Sequence, residues 1–108
     1  MLTTLSFILK RAKLGHYAVP AFNINNMEIA EAVLEAAQAE KSPVILQTSE
    51  GAIEYAGADF LSAIAHVAGK RAGKIPVAFH VDHGKDVKLI KKLIHSGFYT
   101  SVMFDGSR

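Results

Sequence analysis

The stretch Val77-Ala-Phe-His-Val-Asp-His-Gly84 indicates how this chain folds. Its first part, Val77 to Val81, is almost continuously apolar, which is typical of a strand buried on both faces of a parallel sheet. A predicted loop, Asp82-His83-Gly84, follows this strand. A predicted helix then runs from about Asp86 to His95, and Gly97 ends it. The order strand, loop, helix is one βα unit.

The same alternation of strands and helices extends along the chain on both sides of this unit. The periodicity predicts an opening helix over 5–15, strands over 17–22, 44–48 and 101–104, and further helices over 27–39 and 59–72. In the helix over 27–39, the predicted buried face carries Ile29, Val33, Ala36 and Ala37. Strands that alternate with helices of this length pair in parallel through right-handed crossovers.

Four such strands fit two frameworks, a small open doubly wound sheet or the first half of a (β/α)8 barrel. The chain stops just after its fourth predicted strand, and a strand without a covering helix leaves an apolar face unprotected. We therefore expect an α/β fold in which residues 1–108 form the N-terminal part of a single TIM-barrel domain, truncated after the fourth strand.

Composition narrows the classes of function. There are no cysteines, so a metal must be bound by His, Asp or Glu. Twelve Lys and Arg against ten Asp and Glu give a net charge of only +2, and we interpret the lysines of the helix over 86–95 as a solvated face rather than a nucleic-acid surface. The apolar stretch Leu2 to Leu9 is too short for a membrane span and lacks the flanks of a secretory signal. We expect a soluble cytoplasmic protein without nucleic-acid or membrane partners.

Polar residues follow every predicted strand. They are Asn23 after the first, Ser49 and Glu50 after the second, Asp82 and His83 after the third, and Asp105 and Ser107 after the fourth. In both frameworks ligands gather at the carboxyl ends of the strands, so these residues predict a site at one edge of the sheet.

Asp82 and His83 are the strongest of these candidates. Strand alternation points His80 and Asp82 to the same face, and an imidazole beside a carboxylate suits a metal such as Zn²⁺. We interpret His80 as a hydrogen-bonded interior histidine. We expect Gly84 to let the backbone turn sharply toward a ligand.

The other strand ends are less specific. The loop from Ser49 to Ala52 suits a phosphate or hydroxyl ligand, although a helix cap explains Ser49 equally well. For Asp105, metal ligation, capping and no role at all stay open.

Together these motifs resemble a known family, the class II fructose-bisphosphate and tagatose-bisphosphate aldolases. The resemblance is carried by Val77–Gly84, by Gly97-Phe98 and by Ser101-Val-Met-Phe-Asp-Gly-Ser107. Ala21-Phe-Asn23 and Gln47-Thr-Ser-Glu-Gly-Ala52 match the family's first two strand-end motifs. The resemblance covers essentially the whole chain. It implies the TIM-barrel fold and zinc-dependent, reversible cleavage of a ketose 1,6-bisphosphate to dihydroxyacetone phosphate and glyceraldehyde 3-phosphate by the full-length protein.

The resemblance also implies a role for each matching residue. Asp82 corresponds to the catalytic acid/base that exchanges the proton of the C4 oxygen, and His83 to the first of three zinc histidines. Asp105 corresponds to an aspartate at a second metal position, for a divalent or a monovalent cation. Ser49 matches a serine that contacts the sugar-bisphosphate substrate, and Asn23 an asparagine near that pocket. The family is commonly dimeric or tetrameric, and we expect the isolated 108-residue chain to be inactive.

Two other functions stay open, a non-catalytic half-barrel scaffold and another metal-dependent barrel enzyme such as a hydrolase. The latter does not account for the motifs at Ser49 and Asp105. One departure from the family pattern concerns Tyr99-Thr100, which adds a residue before Ser101. It predicts a shift in strand register that changes where Asp105 points.

Overall fold

Helices and strands alternate along residues 1–107, the part of the chain that this computed structural model describes. In chain order they are α1 (Leu5–Gly15), β1 (Ala21–Asn23), α2 (Met27–Ala39), β2 (Val44–Thr48), α3 (Glu50–Ala56), α4 (Ala58–Arg71), β3 (Val77–Gly84), α5 (Val87–Ser96) and β4 (Ser101–Phe104). The predicted α/β class with four strands is confirmed.

The four strands form one parallel sheet in the order β1-β2-β3-β4. Its register places Asn23 beside Gln47, Gln47 beside His80, and His80 beside Ser101. These four residues therefore form one row across the sheet, near the carboxyl ends of the strands. We call it the polar row.

Strand alternation gives the sheet two different faces. On one face, apolar strand residues such as Leu46 and Phe79 pack with Leu34 of α2, Leu61 of α4 and Leu93 of α5 in the main core. Burying an aliphatic or aromatic side chain of this size stabilises the fold by about 1.5–3 kcal/mol. Helices therefore cover this face along most of its length.

Within residues 1–107, the opposite face is covered only near the amino ends of the strands. There Ile8 of α1 packs on Ile45 and Ala78, together with the partly buried Leu5, Phe7 and Val19. Two residues further along β2 and β3, on the same face, come Gln47 and His80 of the polar row. The apolar layer under α1 is thus the floor beneath the polar row.

The predicted first strand is wrong at both ends. It was expected over 17–22, but β1 contains only Ala21 to Asn23. Pro20 has no N–H to donate to a sheet, and only its carbonyl takes part, accepting from the Ile45 N–H at 3.0 Å. Asn23, expected to follow the strand, is its last residue.

Two features of the helices also differ from expectation. The loop predicted after β2 is a helix, α3, which Ser49 caps by accepting from the Ala52 N–H at 3.1 Å. In α2 the buried residues are Ala30, Leu34 and Ala37, so the buried face is rotated away from Ile29, which is 39% exposed. Ala37 is the one predicted core residue that is fully buried there.

The third strand is longer than predicted, because pairing with β4 continues to Gly84. The register shifts between Val81 and Gly84: two residues of β3, Asp82 and His83, lie opposite one residue of β4, as in a β-bulge. The bulge in this sheet lies on β3, and the predicted effect of Tyr99-Thr100 on the direction of Asp105 stays a prediction. Tyr99 is buried against Phe79, with ring centroids 4.3 Å apart.

No helix within residues 1–107 combines the length and the apolar character needed to cross a membrane.

Candidate active site

The candidate site is the polar row together with the residues that follow it at the ends of β3 and β4. Asn23 and Gln47 belong to the row, and Asp82, His83 and Asp105 lie beyond it. The elements that position them are parallel strands whose carboxyl ends share one edge, so residues distant in sequence are brought together.

Gln47 connects the first two strands to the third. Its Nε2 donates to Oδ1 of Asn23 at 2.6 Å and lies 3.4 Å from Oδ2 of Asp82. The side chain of Asp82 is 22% exposed, and its other oxygen, Oδ1, lies 3.8 Å from Nε2 of His83. Asp82 is thus flanked by two nitrogen atoms, one from β2 and one from its own strand.

His83 points its ring across the site because of its backbone. It has φ of 51°, in the left-handed region that residues other than glycine rarely adopt, and it stands at the bulge of β3. Its side chain is 60% exposed, and Nδ1 lies 3.1 Å from Oδ2 of Asp105. One ring nitrogen therefore faces Asp105 and the other faces Asp82.

The expected role of Gly84 is wrong. Gly84 is absent from the residues with positive φ, and the sharp turn belongs to His83. A Cβ on Gly84 would lie 2.9 Å from Cδ1 of Ile90 and 3.2 Å from the carbonyl oxygen of Met103. Glycine is needed here because α5 and β4 approach the backbone closely.

Asp105 is held by its own loop. Its N–H donates to the Gly84 carbonyl at 2.8 Å, and its Oδ1 accepts from the Ser107 N–H at 3.0 Å. Hydrogen bonds from the hydroxyl and the N–H of Ser107, followed by the one to His83, lower the pKa of Asp105 to about 2. Asp105 is therefore a carboxylate at neutral pH. It can accept a hydrogen bond from a protonated ring nitrogen of His83.

His80 is held in the polar row by a hydrogen bond, as predicted, although it is only half-buried. Its Nδ1 lies 2.7 Å from the Ser101 hydroxyl. Burial lowers the pKa of His80, and the nearby charge of Asp82 partly opposes that change.

Ser49 lies outside this chain of contacts. Its hydroxyl is used in the α3 cap, which is the alternative that the sequence left open. The next residue, Glu50, reaches across to the loop after β3, where its Oε2 accepts from the Asp86 N–H at 3.0 Å. Through this bond α3 is attached to the loop that follows Asp82 and His83.

The structure thus brings four of the five predicted site residues into one chain of contacts, Asn23, Asp82, His83 and Asp105, with Gln47 as the link. Gln47 was missed as a site residue, whereas Glu50 was named among the strand-end residues but its contact with Asp86 was not anticipated. Gln47 carried a signal, because it is a polar residue two positions beyond Ile45 and so shares its face. Nothing in the sequence marked Glu50 as a partner of Asp86.

A complete metal site is not present in the described part of the chain. Within residues 1–107, no three His, Asp or Glu side chains are grouped so that they could hold a metal ion. The predicted ligands His83 and Asp105 are in contact with each other, but two residues are too few to form a complete set of metal ligands.

A parallel α/β sheet with polar groups at the carboxyl ends of its strands belongs to the class of α/β proteins that includes open doubly wound sheets and (β/α)8 barrels. The family model for class-II fructose-bisphosphate aldolases matches residues 3–108. The chain belongs to this family.

Individual relatives agree with this assignment. A fructose-bisphosphate aldolase of Thermus caldophilus is 47% identical over 107 residues, covering 99% of this chain and 34% of the relative. A 6-phospho-5-dehydro-2-deoxy-D-gluconate aldolase of Halalkalibacterium halodurans is 41% identical over 108 residues, covering 98% and 37%. The chain spans little more than a third of these curated relatives.

A solved structure supports the fold. The YdjI aldolase from Escherichia coli K12 superposes with a TM-score of 0.82 at 31% identity, covering 99% of this chain and 41% of that one. Membership of the family supports aldolase-type lyase chemistry.

Proposed function

We propose that the full-length protein is a zinc-dependent aldolase that reversibly cleaves a ketose 1,6-bisphosphate, with residues 1–108 as the N-terminal part of its single barrel domain. The observation that carries the proposal is the contact chain from Asp82 through His83 to Asp105, in a chain of the class-II family. We further propose a cytoplasmic homodimer or homotetramer.

Asp82 is the proposed acid/base. Aldol cleavage needs a group that removes the proton of the C4 hydroxyl as the C3–C4 bond breaks, and that group must lie within hydrogen-bond reach of the hydroxyl. Asp82 stands at the carboxyl end of β3 and is partly exposed. Its contacts with the nitrogens of Gln47 and His83 are 3.4 and 3.8 Å long, so its oxygens keep lone pairs for a substrate hydroxyl.

His83 is the proposed zinc ligand, and its geometry fits that role. Metal-binding histidines commonly donate their second ring N–H to a carboxylate, which fixes the ring. Asp105 is such a carboxylate on Nδ1 of His83, and this leaves Nε2 for the metal. When bound, zinc polarises the substrate ketone and stabilises the negative charge that develops there.

In this proposal Asp105 therefore holds the ring of His83 in position. Its predicted role as a ligand of a second cation stays a prediction. The further zinc ligands must come from outside residues 1–107, since these residues form no complete group.

Ser49 and Asn23 are the proposed substrate contacts. Asn23 is exposed at the end of β1, beside Gln47 and within the contact chain. The Ser49 hydroxyl accepts a hydrogen bond from Ala52, but its own proton remains free to donate to a substrate oxygen.

The test is cleavage of fructose 1,6-bisphosphate and tagatose 1,6-bisphosphate by the full-length polypeptide, with 6-phospho-5-dehydro-2-deoxy-D-gluconate as a third substrate because one relative bears that name. We expect chelation to abolish turnover and added Zn²⁺ to restore it. Asp82→Asn should lower kcat by about 10²–10⁴-fold, the usual contribution of an acid/base group. The matched control is Asp59→Asn on α4, which should be active.

Borohydride treatment in the presence of substrate gives an independent result. A metal-dependent enzyme forms no imine, so we expect no covalent adduct. A lysine adduct found by mass spectrometry would contradict the proposal, as would full activity of Asp82→Asn. If the full-length protein cleaves none of the three substrates, the alternative of a non-catalytic half-barrel scaffold is favoured.

A further inference from the structure

Gln47 contacts two proposed functional residues that lie on different strands, one on either side of β2. It lies on β2, in register with Asn23 on one side and His80 on the other. A single nitrogen atom, Nε2, makes both contacts, to Oδ1 of Asn23 at 2.6 Å and to Oδ2 of Asp82 at 3.4 Å.

These contacts define which way both amides point. A carboxylate accepts hydrogen bonds and cannot donate them, so Gln47 presents its NH₂ group to Asp82 rather than its carbonyl. The same NH₂ group has a second hydrogen, which goes to Asn23. Asn23 must therefore offer its oxygen to Gln47, and its own NH₂ group is left facing away from Gln47.

We propose that Gln47 is a positioning residue that orients Asp82 and Asn23 together. It holds Oδ2 of Asp82, and it makes Asn23 a hydrogen-bond donor toward the substrate, whose hydroxyl and phosphate oxygens need donors. The inference rests on the proposed function for the roles of Asp82 and Asn23, but the orientation itself follows from the contacts.

The same arrangement distinguishes the two oxygens of Asp82. Oδ2 is occupied by Gln47, whereas Oδ1 faces Nε2 of His83 at 3.8 Å, the nitrogen proposed to bind the metal. Oδ1 is therefore the oxygen that takes the proton from the substrate hydroxyl. Without Gln47 the carboxylate would lose the contact that distinguishes the two oxygens.

The orientation is tested by NMR of the 108-residue chain labelled with ¹⁵N and ¹³C, because scalar coupling passes through a hydrogen bond from the donor nitrogen to the acceptor carbonyl carbon. We expect coupling from Nε2 of Gln47 to Cγ of Asn23. Coupling in the opposite direction, from Nδ2 of Asn23 to Cδ of Gln47, overturns the proposal, and so does the absence of coupling in both directions.

Substitution tests the link to Asp82. Gln47→Met keeps the length of the side chain but removes the NH₂ group, so the ¹³Cγ resonance of Asp82 and the side-chain amide resonances of Asn23 should both move. Asn23→Leu should move the Asp82 resonance as well, since it frees Gln47 from its second acceptor.

Gln38→Met is the matched control, because it removes a glutamine Nε2 bond of 2.7 Å to the Arg71 carbonyl on the helical layer. An Asp82 resonance that stays in place in Gln47→Met overturns the proposal.

A kinetic readout separates positioning from folding. In the full-length enzyme, Gln47→Met should lower kcat through Asp82 and raise KM through Asn23, whereas a structural defect would lower the amount of active protein without changing KM. An unchanged KM with the wild-type kcat overturns the positioning role. The NMR results do not require turnover, so a failure of the aldolase proposal and a failure of the Gln47 proposal are recognised separately.

Discussion

His80 and His83 lie three residues apart in one strand, yet their surroundings differ. His80 is half-buried in the polar row against Ser101, whereas His83 is mostly exposed at a bulge with φ of 51°. A left-handed backbone costs a residue other than glycine about 1–2 kcal/mol. The strand tolerates this cost at the residue proposed to bind the metal, which is where strain commonly accumulates.

The pH dependence of stability should contain a contribution from His80. Burial lowers its pKa in the folded state below the usual histidine value of 6.5, so folding favours the neutral ring. This contribution is fully present above about pH 6.5, the usual pKa of an unfolded histidine, and is lost as the pH falls below it. We expect the free energy of unfolding, measured in urea, to fall from pH 7.5 to pH 5, and less steeply in His80→Asn.

His66→Gln is the control, since it removes an exposed imidazole from α4. A His80→Asn variant with the wild-type pH profile would show that burial of His80 does not affect its protonation. Asp82 is the charged group whose effect opposes that of burial, so Asp82→Asn should make the fall in stability steeper.

The close approach at Gly84 gives a second prediction. The added methyl group of Gly84→Ala meets Ile90 of α5 at 2.9 Å and the Met103 carbonyl at 3.2 Å, and overpacking of this kind destabilises proteins by about 1–3 kcal/mol. Ile90→Val in the same chain should recover part of the loss. Gly51→Ala, where the new Cβ would be 3.7 Å from the Ser49 hydroxyl, should be neutral or slightly stabilising. Equal denaturation midpoints for Gly84→Ala and wild type would exclude the close packing.

At the scale of elements, neighbouring residues at the start of α3 cap this helix and connect it to the candidate site. Ser49 caps the helix with its hydroxyl, and Glu50 in its first turn binds the Asp86 N–H at the start of α5. The short helix therefore links the end of β2 to the loop after β3. A change that unfolds α3 should also loosen the segment that follows His83.

Ser49 variants separate the structural role from the proposed substrate contact. Ser49→Ala should lower the free energy of unfolding by about 0.5–2 kcal/mol, the usual cost of a lost N-cap. Ser49→Asp keeps a capping oxygen and should retain stability, but its carboxylate should repel the substrate phosphate and raise KM in the full-length enzyme. The prediction is wrong if the aspartate variant is as unstable as the alanine variant, or if it binds substrate normally.

Sequence patterns predicted elements well where the chain is regular. β2 and β4 have the predicted bounds, because their apolar runs lie between clear turn residues. α3 was missed because Glu50-Gly51-Ala52 has the composition of a turn, while the capping signal of Ser49 was only an alternative. Most residues of the contact chain could be predicted because they lie at the ends of strands. To predict the role of Gln47, one must also know which face of β2 is open. That depends on where α1 packs.

At the scale of the whole molecule, the sheet ends in β1 and β4, each of which pairs with one neighbour in residues 1–107. Free strand edges can pair with other chains, and Phe104 on β4 is 60% exposed. We expect the isolated chain to associate as its concentration rises in sedimentation velocity experiments. Phe104→Lys should reduce this association, because a charged side chain on an edge strand opposes pairing.

Phe60→Lys distinguishes this edge from a second apolar surface. Phe60 is 70% exposed and lines a cleft of about 290 Å³ between α2 and α4, beside Met27 and Val67. If Phe60→Lys prevents association and Phe104→Lys does not, the helical cleft rather than the sheet edge is the contact surface.

The docking of α1 under the polar row has a consequence for how the chain acquires its site during synthesis. α1 is made first, but its partners Ile45 and Ala78 lie far along the chain, so Ile8 must wait until β3 has left the ribosome. Contacts between residues so distant in sequence form late, because the loop between them must close first. The apolar layer beneath the polar row thus forms only once β2 and β3 are both available, and we expect the amide hydrogens of α1 to exchange faster than those of these strands.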